Sequence, residues 1–393
     1  MAEILPIAEQ LGQIRLLWLI DSLTMGGAER LLVSFAHFVK KLDIDFSVCC
    51  LKTISGNPLQ PELEQMGVHC VNLEARNLRD IRAFRALVRL IRTGNFDIIH
   101  AHLTYAGIWG TLAGHWTKTP NLTSLHVVPP SGGFSDRNVI RTRLLCFLLN
   151  RWSSGVITVS GALKDRYTEA RLLDPGKVMV IHNGIDYTAF MKADDNRQQE
   201  LKNEFRIPAS AKVLVTVCVL RKAKGLEHLL NAASIIIKSD SHARFLIVGD
   251  GDQKQELISF ADKKGLTPFI IWTGFRNDIP DILSIGDLFI LPSLEEAFPT
   301  VLLEAMSSGL PVVSTDTGGI PEIIEHEKTG LMVPPGDPDK FAMTILELLG
   351  DADKKTELAK NAQKTVMEKF SIEHWSQSLC TVYSNLLSSS RKP

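Results

Sequence analysis

Glu296 and Glu304 are the residues whose type and spacing most directly indicate chemistry. They lie where an apolar run at 288–291 gives way to a turn and then to a helical pattern. If this segment is helical, eight positions span roughly 12 Å, which is comparable with the distance from a ribose to a sugar across a diphosphate. One carboxylate could then hold each end of a nucleotide sugar.

The start of the predicted helix, near Phe298, Thr300 and Val301, lies between the two carboxylates. Free N–H groups and the helix dipole favour a phosphate at such a position. The spacing of two glutamates is weak support by itself. Without further context, Glu296 would be a helix-start charge and Glu304 a solvated helix residue.

Gly26 and Gly27 follow the first predicted strand and could also approach a ligand. A glycine pair lets backbone N–H groups come close to a phosphate or a sugar, although such a pair is most often a turn. The Gly-x-Gly-x-x-Gly spacing of dinucleotide-binding folds is absent after this strand. Its absence argues against a dehydrogenase.

Two short motifs resemble metal sites, but their surroundings indicate structural roles. The Asp-x-Asp run at 250–252 lies between an apolar run and a helical pattern, which predicts a strand-to-helix turn. His100 and His102 follow a buried strand, and no third ligand has convincing spacing, which favours packing or positioning. We therefore predict no metal and no other cofactor.

Two series of short buried strands, separated by helical segments, must position these residues. Such alternation is typical of α/β folds with parallel sheets, in which ligands collect at the carboxyl ends of the strands. The first series is predicted at 15–20, 46–51, 68–73, 97–100, 121–125, 156–160 and 178–181. The second is predicted at 213–217, 245–248, 270–272, 288–291 and 311–314.

The predicted fold class is therefore α/β, with two doubly wound, Rossmann-like domains facing a cleft. The N-terminal, acceptor-side domain is predicted over residues 1–190 and the C-terminal donor domain over 191–370. A polar, charged stretch at 192–203 is read as the linker or boundary region. Residues 371–393 are predicted to form a helix that could pack back on the N-terminal domain.

Composition indicates a globular protein and a cytoplasmic setting. Hydrophobic residues make up 45% of the 393 positions, charged residues 22%, and the net charge is −1. No apolar run reaches the roughly 18 residues that span a bilayer, and the six cysteines lack CxxC spacing, which favours reduced thiols. Nucleic acid is not an expected partner.

Several motifs together resemble the donor-site signature of family-4 retaining glycosyltransferases, whose fold is GT-B. Glu296-x7-Glu304 is followed by Gly309-Leu310-Pro311, by Gly318-Gly319 and by Pro321-Glu322. The resemblance covers about 17–349 and includes the Gly-Gly-Ala-Glu-Arg run at 26–30, Lys224-Gly225 and the glycine turn at 249–251. It implies a nucleotide-sugar donor, most often a uridine diphosphate sugar, and no required metal.

The resemblance also implies roles for individual residues in the donor domain. Glu304 would accept hydrogen bonds from the ribose hydroxyls, and Glu296 would face the transferred sugar near its reacting carbon. Lys224 would neutralise the diphosphate as it leaves. The run Gly274-Phe275-Arg276 would hold the base edge, mainly through backbone groups, although a simple strand-ending turn is an equal alternative.

The chain departs from the family pattern at the phosphate arginine. The usual Gly-Arg pair is Cys218-Val219 here, and Arg221 is the candidate substitute, with a solvated basic loop as the alternative. In the acceptor domain, His126 matches the position of a cleft histidine that contacts the transferred sugar. The implied mechanism retains anomeric configuration, with the acceptor hydroxyl attacking from the face that the diphosphate leaves.

Two basic, apolar segments suggest a membrane surface as a further partner. Arginines recur every three or four positions from Arg79 to Arg92, and a second segment covers 137–152. Packing on the sheet, with solvated arginines, is the alternative. Residues 1–190 carry 20 basic and 16 acidic side chains, a net charge of +4, which suits an anionic surface.

The expected function is hexosyl transfer to a hydroxyl of a glycan or lipid-linked glycan in cell-envelope polysaccharide assembly. The enzyme would be cytoplasmic or peripheral on the inner face of the membrane. Two alternatives stay open. One is another GT-B enzyme, such as a nucleotide-sugar epimerase or a sucrose-type synthase, and the other is a catalytically weak protein that binds sugar nucleotides.

Overall fold

The structure is a computed structural model that describes residues 14–24, 26–40, 44–54, 56–130, 136–190 and 195–390. The chain divides into two compact units. Unit 1 comprises Met1–Gly184 together with Ile372–Pro393, and unit 2 comprises Ile185–Ser371.

Unit 1 contains a seven-stranded parallel sheet with the order β3-β2-β1-β4-β5-β6-β7. The strands are β1 (Ile14–Ile20), β2 (Ile44–Cys50), β3 (His69–Asn72), β4 (Ile98–His102), β5 (Asn121–Leu125), β6 (Gly155–Thr158) and β7 (Val178–Val180). In β1, six of the seven residues are buried. Burial on both faces is what a parallel sheet between helix layers requires.

The helices of unit 1 lie between successive strands and at the end of the chain. They are α1 (Gly27–Val39), α2 (Gln60–Gln65), α3 (Ile81–Gly94), α4 (Thr104–Thr117), α5 (Arg137–Trp152), α6 (Gly161–Glu169) and α14 (Ile372–Ser390). In α3, the buried face consists of Ala83, Leu87, Val88 and Ile91, so its arginines point to solvent.

The C-terminal helix α14 belongs to unit 1, although unit 2 precedes it in the chain. It contacts α1, and Trp375, Leu379 and Tyr383 are buried in the core of unit 1. Trp375 packs edge-on against Trp18 of the central strand, with ring centroids 6.4 Å apart. The last helix therefore completes the first hydrophobic core.

Unit 2 contains a six-stranded parallel sheet with the order β10-β9-β8-β11-β12-β13. The strands are β8 (Lys212–Val217), β9 (Ala243–Val248), β10 (Ile270–Gly274), β11 (Leu288–Leu291), β12 (Val312–Thr315) and β13 (Leu331–Val333). The helices are α7 (Asp195–Glu204), α8 (Leu226–Ser239), α9 (Lys254–Lys263), α10 (Ile279–Ser284), α11 (Thr300–Ser307), α12 (Pro338–Gly350) and α13 (Ala352–Lys369).

The sequence predicted the α/β class and the parallel sheets correctly, but it missed one strand and gave no helix for the boundary region. The strand β13 was missed, because three residues are too short to give a pattern. The polar stretch at 192–203 is helical from Asp195 onward, while 192–194 lie outside the described residues. No helix in the described ranges is long and apolar enough to cross a membrane.

Candidate functional site

The loops that follow β8 and β11 meet, because these two strands are neighbours in the sheet of unit 2. The carbonyl of Ala223 accepts backbone hydrogen bonds from Leu294 and Glu295 at 2.8 and 3.2 Å. Gly225 has φ +64°, and a Cβ there would lie 2.0 Å from the carbonyl oxygen of Pro292. Only glycine permits this close approach of the two loops.

This approach joins Lys224 and Glu296, to which the sequence had assigned separate roles. The Lys224 Nζ lies 2.6 Å from Glu296 Oε1, and Ser293 Oγ donates to the same oxygen at 2.7 Å. The two charged side chains are 12% and 6% exposed. A buried ion pair is costly to desolvate and contributes little net stability, so its presence here is better explained by function than by folding.

The loop after β12 supports Glu296 from the other side. Gly318 has φ +54°, and a Cβ there would lie 1.8 Å from the carbonyl oxygen of Glu296. Thr315 Oγ1 donates to the carbonyl of Ser293 at 2.5 Å. Three loops at the carboxyl ends of adjacent strands therefore hold one carboxylate in place.

The helix α11 begins at Thr300, within the stretch where the sequence placed its start. Pro299 is its N-cap, with extended backbone at φ −76° and ψ 101°. Glu296 therefore lies in the preceding loop, and the spacing of roughly 12 Å calculated for a continuous helix does not describe Glu296 and Glu304. Glu304 is on the helix and partly buried.

The other predicted residues around α11 have different surroundings. Thr300 and Val301 form the first helical turn and are partly exposed. Phe298 is buried and packs on Phe370, with ring centroids 5.8 Å apart. Its ring is a core group, so any contact with a donor would come through its backbone.

The segment Gly274-Phe275-Arg276 ends β10, and its arginine is engaged in an ion-pair network. Gly274 has φ +71°, and the ring of Phe275 is exposed. The Arg276 guanidinium donates two hydrogen bonds to Asp278, at 2.8 and 2.6 Å, and two to Glu204, at 2.6 and 3.5 Å. Arg276 holds the pKa of Asp278 below its ordinary value.

The network continues into helix α7. Arg197 Nη2 lies 2.9 Å from Asp278 Oδ2, and its Nε lies 3.0 Å from Asp281 Oδ2. The guanidinium of Arg276 also stacks over the ring of Phe205, 5.4 Å from its centroid. These contacts tie α7 and α10 to the loop after β10, an arrangement that local sequence patterns do not indicate.

Arg221, the candidate substitute for the missing phosphate arginine, lies in the same loop as Lys224. It is exposed and directly precedes the short helical turn Lys222–Lys224. Val219, which stands where the family pattern implied an arginine, is 58% exposed. The chain therefore presents cations, but no guanidinium at position 219.

The Asp-x-Asp run at 250–252 forms the turn between β9 and α9. Asp250 accepts hydrogen bonds from Lys254 Nζ at 2.7 Å and from Gly251 N at 2.8 Å, and both lower its pKa. Across the described ranges, no group of three or more His, Cys, Asp or Glu side chains could hold a metal ion.

In unit 1, three histidines at the ends of β4 and β5 form a cluster in which His100 and His102 are buried and His126 is partly buried. His126 Nε2 lies 2.9 Å from His102 Nδ1, and the ring of His102 stacks on Trp18 with centroids 3.9 Å apart. His100 bonds Tyr383 and Ser124. Burial lowers the pKa of His100 to about 3 and that of His126 to about 4, so the rings are neutral at pH 7.

Gly26 and Gly27 follow β1, as predicted, and lie at the N-terminus of α1, where the carboxylate of Glu29 is also found. Glu29 is buried and accepts a hydrogen bond from Thr24 Oγ1 at 2.9 Å. A Cβ on Gly26 would lie 2.3 Å from Glu29 Oε2. The glycine at position 26 thus has a packing reason that is independent of any ligand.

Further polar groups lie at the same carboxyl edge of the unit 1 sheet. Asp21 accepts a backbone bond from Ala106 at 2.7 Å, and burial raises its pKa to about 6. Lys52 Nζ and the Arg141 guanidinium lie over the ring of Tyr105, at 5.0 and 5.2 Å from its centroid. Two cations near one ring suit an anionic ligand.

Comparison with known proteins agrees with this architecture. The family model of glycosyltransferase family 4 matches residues 25–189, and that of glycosyl transferases group 1 matches 197–365. An uncharacterized glycosyltransferase of Methanocaldococcus jannaschii is 30% identical over 302 residues, which are 75% of this chain and 76% of that protein.

Two further relatives carry more specific names. The Escherichia coli UDP-Gal:alpha-D-GlcNAc-diphosphoundecaprenol alpha-1,3-galactosyltransferase is 26% identical over 88% of this chain and 91% of its own. The crystal structure of Anabaena HepE with UDP-glucose is 26% identical, covers 95% of this chain and 100% of its own, and has a TM-score of 0.84.

Together with these matches, the two parallel α/β sheets identify a glycosyltransferase of GT-B fold. The chain belongs to glycosyltransferase family 4.

Proposed function

We propose that the chain is a retaining hexosyltransferase that uses a UDP-sugar and glycosylates a hydroxyl of a glycan or glycolipid in cell-envelope polysaccharide assembly. The UDP-glucose complex of HepE supports the choice of donor. The named substrate of the E. coli relative, a sugar on diphosphoundecaprenol, supports a lipid-linked acceptor.

The observation that carries this proposal is the buried contact between Lys224 and Glu296. When the glycosidic bond breaks, negative charge develops on the diphosphate and positive charge on the sugar ring. A fixed ammonium beside a fixed carboxylate, 2.6 Å apart, can stabilise these opposite charges. Ser293 holds the carboxylate, so little reorganisation is needed at the moment of reaction.

The remaining donor contacts follow from the same arrangement in unit 2. Glu304 would accept hydrogen bonds from the ribose diol, and the first turn of α11 at Thr300 and Val301 would receive a phosphate. The backbone of Gly274 and the exposed ring of Phe275 would contact the base. Arg276 would act indirectly, since Asp278 and Glu204 already hold its guanidinium.

Retention follows if the acceptor hydroxyl attacks from the face that the diphosphate leaves and the leaving phosphate takes its proton. His126 would contact the transferred sugar, and Gly27 N–H would contact the diphosphate. Lys224 and Arg221 supply positive charge beside the leaving group, which supports catalysis without a metal. In unit 1, Lys52 and Arg141 suit a phosphate-bearing acceptor.

A thermal-shift screen of nucleotide sugars, with and without EDTA, tests the donor. A ligand at 100 times its Kd should raise the unfolding free energy by about 2.7 kcal/mol. UDP-sugars should stabilise the protein more than ADP- and GDP-sugars, and EDTA should not change the result. NMR of the product formed from the best donor and a prenyl-diphosphate sugar should show the donor's anomeric configuration. The absence of any shift with UDP-sugars would exclude this donor class.

We also propose that unit 1 binds an anionic membrane surface through α5. Ile140, Leu144 and Phe147 form an exposed apolar row on this helix, with Phe147 63% exposed, and Arg137 and Arg151 are exposed at its ends. The basic segment from Arg79 to Arg92 is a poorer candidate for membrane binding, because the apolar face of its helix α3 is buried. Exposed apolar and basic side chains on one helix suit an interfacial location.

Liposome flotation tests the membrane proposal. The protein should float with vesicles of phosphatidylglycerol and phosphatidylcholine but not with phosphatidylcholine alone. Leu144→Gln combined with Phe147→Gln should abolish flotation, whereas Met343→Gln, an exposed apolar residue of unit 2, should leave it unchanged. Equal flotation of all three proteins, or none, would contradict the proposal.

A further inference from the structure

His102 has an unusual environment at the end of β4. It is completely buried and stacks on Trp18 with the ring planes 6° apart. Its Nδ1 lies 2.9 Å from Nε2 of His126. Its own Nε2 is buried and has no hydrogen-bond partner among the described residues.

The neighbouring His100 shows what a purely structural histidine looks like in this cluster. Both of its ring nitrogens are bonded, to the hydroxyls of Tyr383 at 2.7 Å and Ser124 at 2.8 Å. In His102, by contrast, one nitrogen is left unsatisfied while the other contacts His126. A phenylalanine would stack on Trp18 without that cost, so packing alone does not explain the imidazole.

Only two proton arrangements satisfy the contact between the rings, because burial keeps both histidines neutral. Either His126 donates from Nε2, which leaves His102 with a buried N–H that lacks an acceptor, or His102 donates from Nδ1. The second arrangement leaves only an unshared lone pair on His102 Nε2. Orphaned N–H groups are the rarer defect in protein interiors, so the second arrangement is favoured.

We propose that His102 is a positioning residue that donates its Nδ1 proton to Nε2 of His126 and so fixes the tautomer of His126. His126 then carries its own proton on Nδ1. This inference rests on the proposed function, in which His126 contacts the transferred sugar. His126 acts there as a hydrogen-bond donor to a sugar oxygen.

Nitrogen-15 NMR of the histidine-labelled full-length protein tests the tautomer directly. The His126 signals, identified by their loss in His126→Asn, should show a protonated Nδ1 and an unprotonated Nε2. His102→Phe keeps the stacking on Trp18 but removes the donor, so His126 should gain the Nε2-protonated form. His102→Asn, whose amide can donate, should retain the wild-type pattern.

Kinetics then distinguish positioning from packing. His102→Phe should lower kcat about tenfold, which corresponds to one hydrogen bond, and leave the Kd for UDP unchanged because UDP lacks the sugar. His102→Asn should stay within about threefold of wild type. Tyr383→Phe, which alters the same cluster at His100, is the control and should preserve the His126 tautomer and kcat.

A protonated Nε2 on His126 in the wild-type protein would overturn the inference, and so would unchanged NMR and kcat in His102→Phe. Failure of the proposed function would look different. In that case, wild-type protein would neither bind UDP nor turn over, while the NMR spectrum would still report the tautomer.

Discussion

At the scale of single residues, the main finding is that Lys224 and Glu296 are partners. The sequence indicated a lysine for the diphosphate and a glutamate for the sugar. In the structure each satisfies the charge of the other, with Ser293 as a third member. In the proposed function, the diphosphate and the sugar would therefore both lie close to this pair of side chains in unit 2.

Replacing Glu296 with glutamine removes the negative charge but keeps the size and shape of the side chain, so it tests whether the charge is needed for turnover. The amide can keep the bonds to Ser293 or Lys224, so the protein should fold and bind UDP within a few-fold of wild type. Turnover should fall about 100-fold, as it does when a group that stabilises transition-state charge is lost. The adjacent, exposed Glu295→Gln is the control, and steady-state kinetics with matched UDP titrations are the measurement.

Arg221→Met tests the substitute for the missing phosphate arginine. If the guanidinium contacts the diphosphate, the Kd for UDP should rise about tenfold, the effect expected for a charged hydrogen bond. Lys222→Met removes a charge from the next residue, which is also exposed, and should change the Kd less than threefold. Equal effects of the two variants in calorimetry would indicate general electrostatics instead of a direct contact.

At the scale of elements, the loop after β10 depends on helix α7. Asp278 bonds Arg276 and Arg197, and Arg276 also bonds Glu204. Isolated surface ion pairs contribute little, but networks of several charges fix geometry more firmly. The helix that the sequence read as a linker therefore supports the loop proposed to contact the base.

Asp278→Asn should weaken this support. We expect the Kd for UDP to rise about three- to tenfold, and the Kd for pyrophosphate, which has no base, to stay unchanged. Asp262→Asn, on the exposed surface of α9, is the matched control. A parallel loss of pyrophosphate affinity would mean that the network supports the whole unit and not the base loop.

At the scale of the whole molecule, unit 1 contains a group of titratable side chains whose pKa values are shifted by desolvation. Unit 1 contains His100, His102 and His126, whose pKa values are lowered by desolvation. It also contains the partly buried Asp21 and the buried Glu29, and desolvation raises the pKa of both carboxyl groups. These groups make the stability of unit 1 depend on pH.

The sign of each contribution follows from which state binds the proton. Below the ordinary histidine pKa of 6.5, His126 is protonated in the unfolded chain. In the folded protein it stays neutral until about pH 4. As the pH falls through that window, each such histidine therefore lowers the unfolding free energy by roughly 1.4 kcal/mol per pH unit. Asp21 opposes this between about pH 6 and its ordinary value of 3.8, because its folded form binds the proton first.

His126→Asn should consequently be less sensitive to acid than wild type. Between pH 6.5 and 4.5, its urea midpoint should fall by a smaller amount, whereas the exposed His37→Asn should follow the wild type. Five of the six tryptophans lie in unit 1, so tryptophan fluorescence reports mainly on that unit. Identical pH slopes for all three proteins would contradict the lowered pKa of His126.

Some of the fold and the site could be predicted because the signals are local. Buried aliphatic runs such as the one in β11, followed by turns and helical patterns, indicated parallel sheets and their carboxyl edges. Gly225 and Gly318 belonged to recognisable motifs. The structure shows why these positions are glycines: their backbones lie directly against the carbonyl groups of Pro292 and Glu296.

Other features depend on contacts between distant segments, which no local pattern contains. Lys224 and Glu296 are 72 positions apart and meet because β8 and β11 are neighbours. His102 and His126 meet because β4 pairs with β5. The span of roughly 12 Å between Glu296 and Glu304 does not apply, because Pro299 is the N-cap of α11 and Glu296 lies before the helix.

The sequence by itself determined the class of fold, the family and the short motifs, because burial patterns and turn chemistry act over a few residues. Only the tertiary structure decided which charges neutralise each other and that the ring of His102 contacts that of His126. Those outcomes depend on strand order and on the distances between side chains, and both arise only when the sheets form.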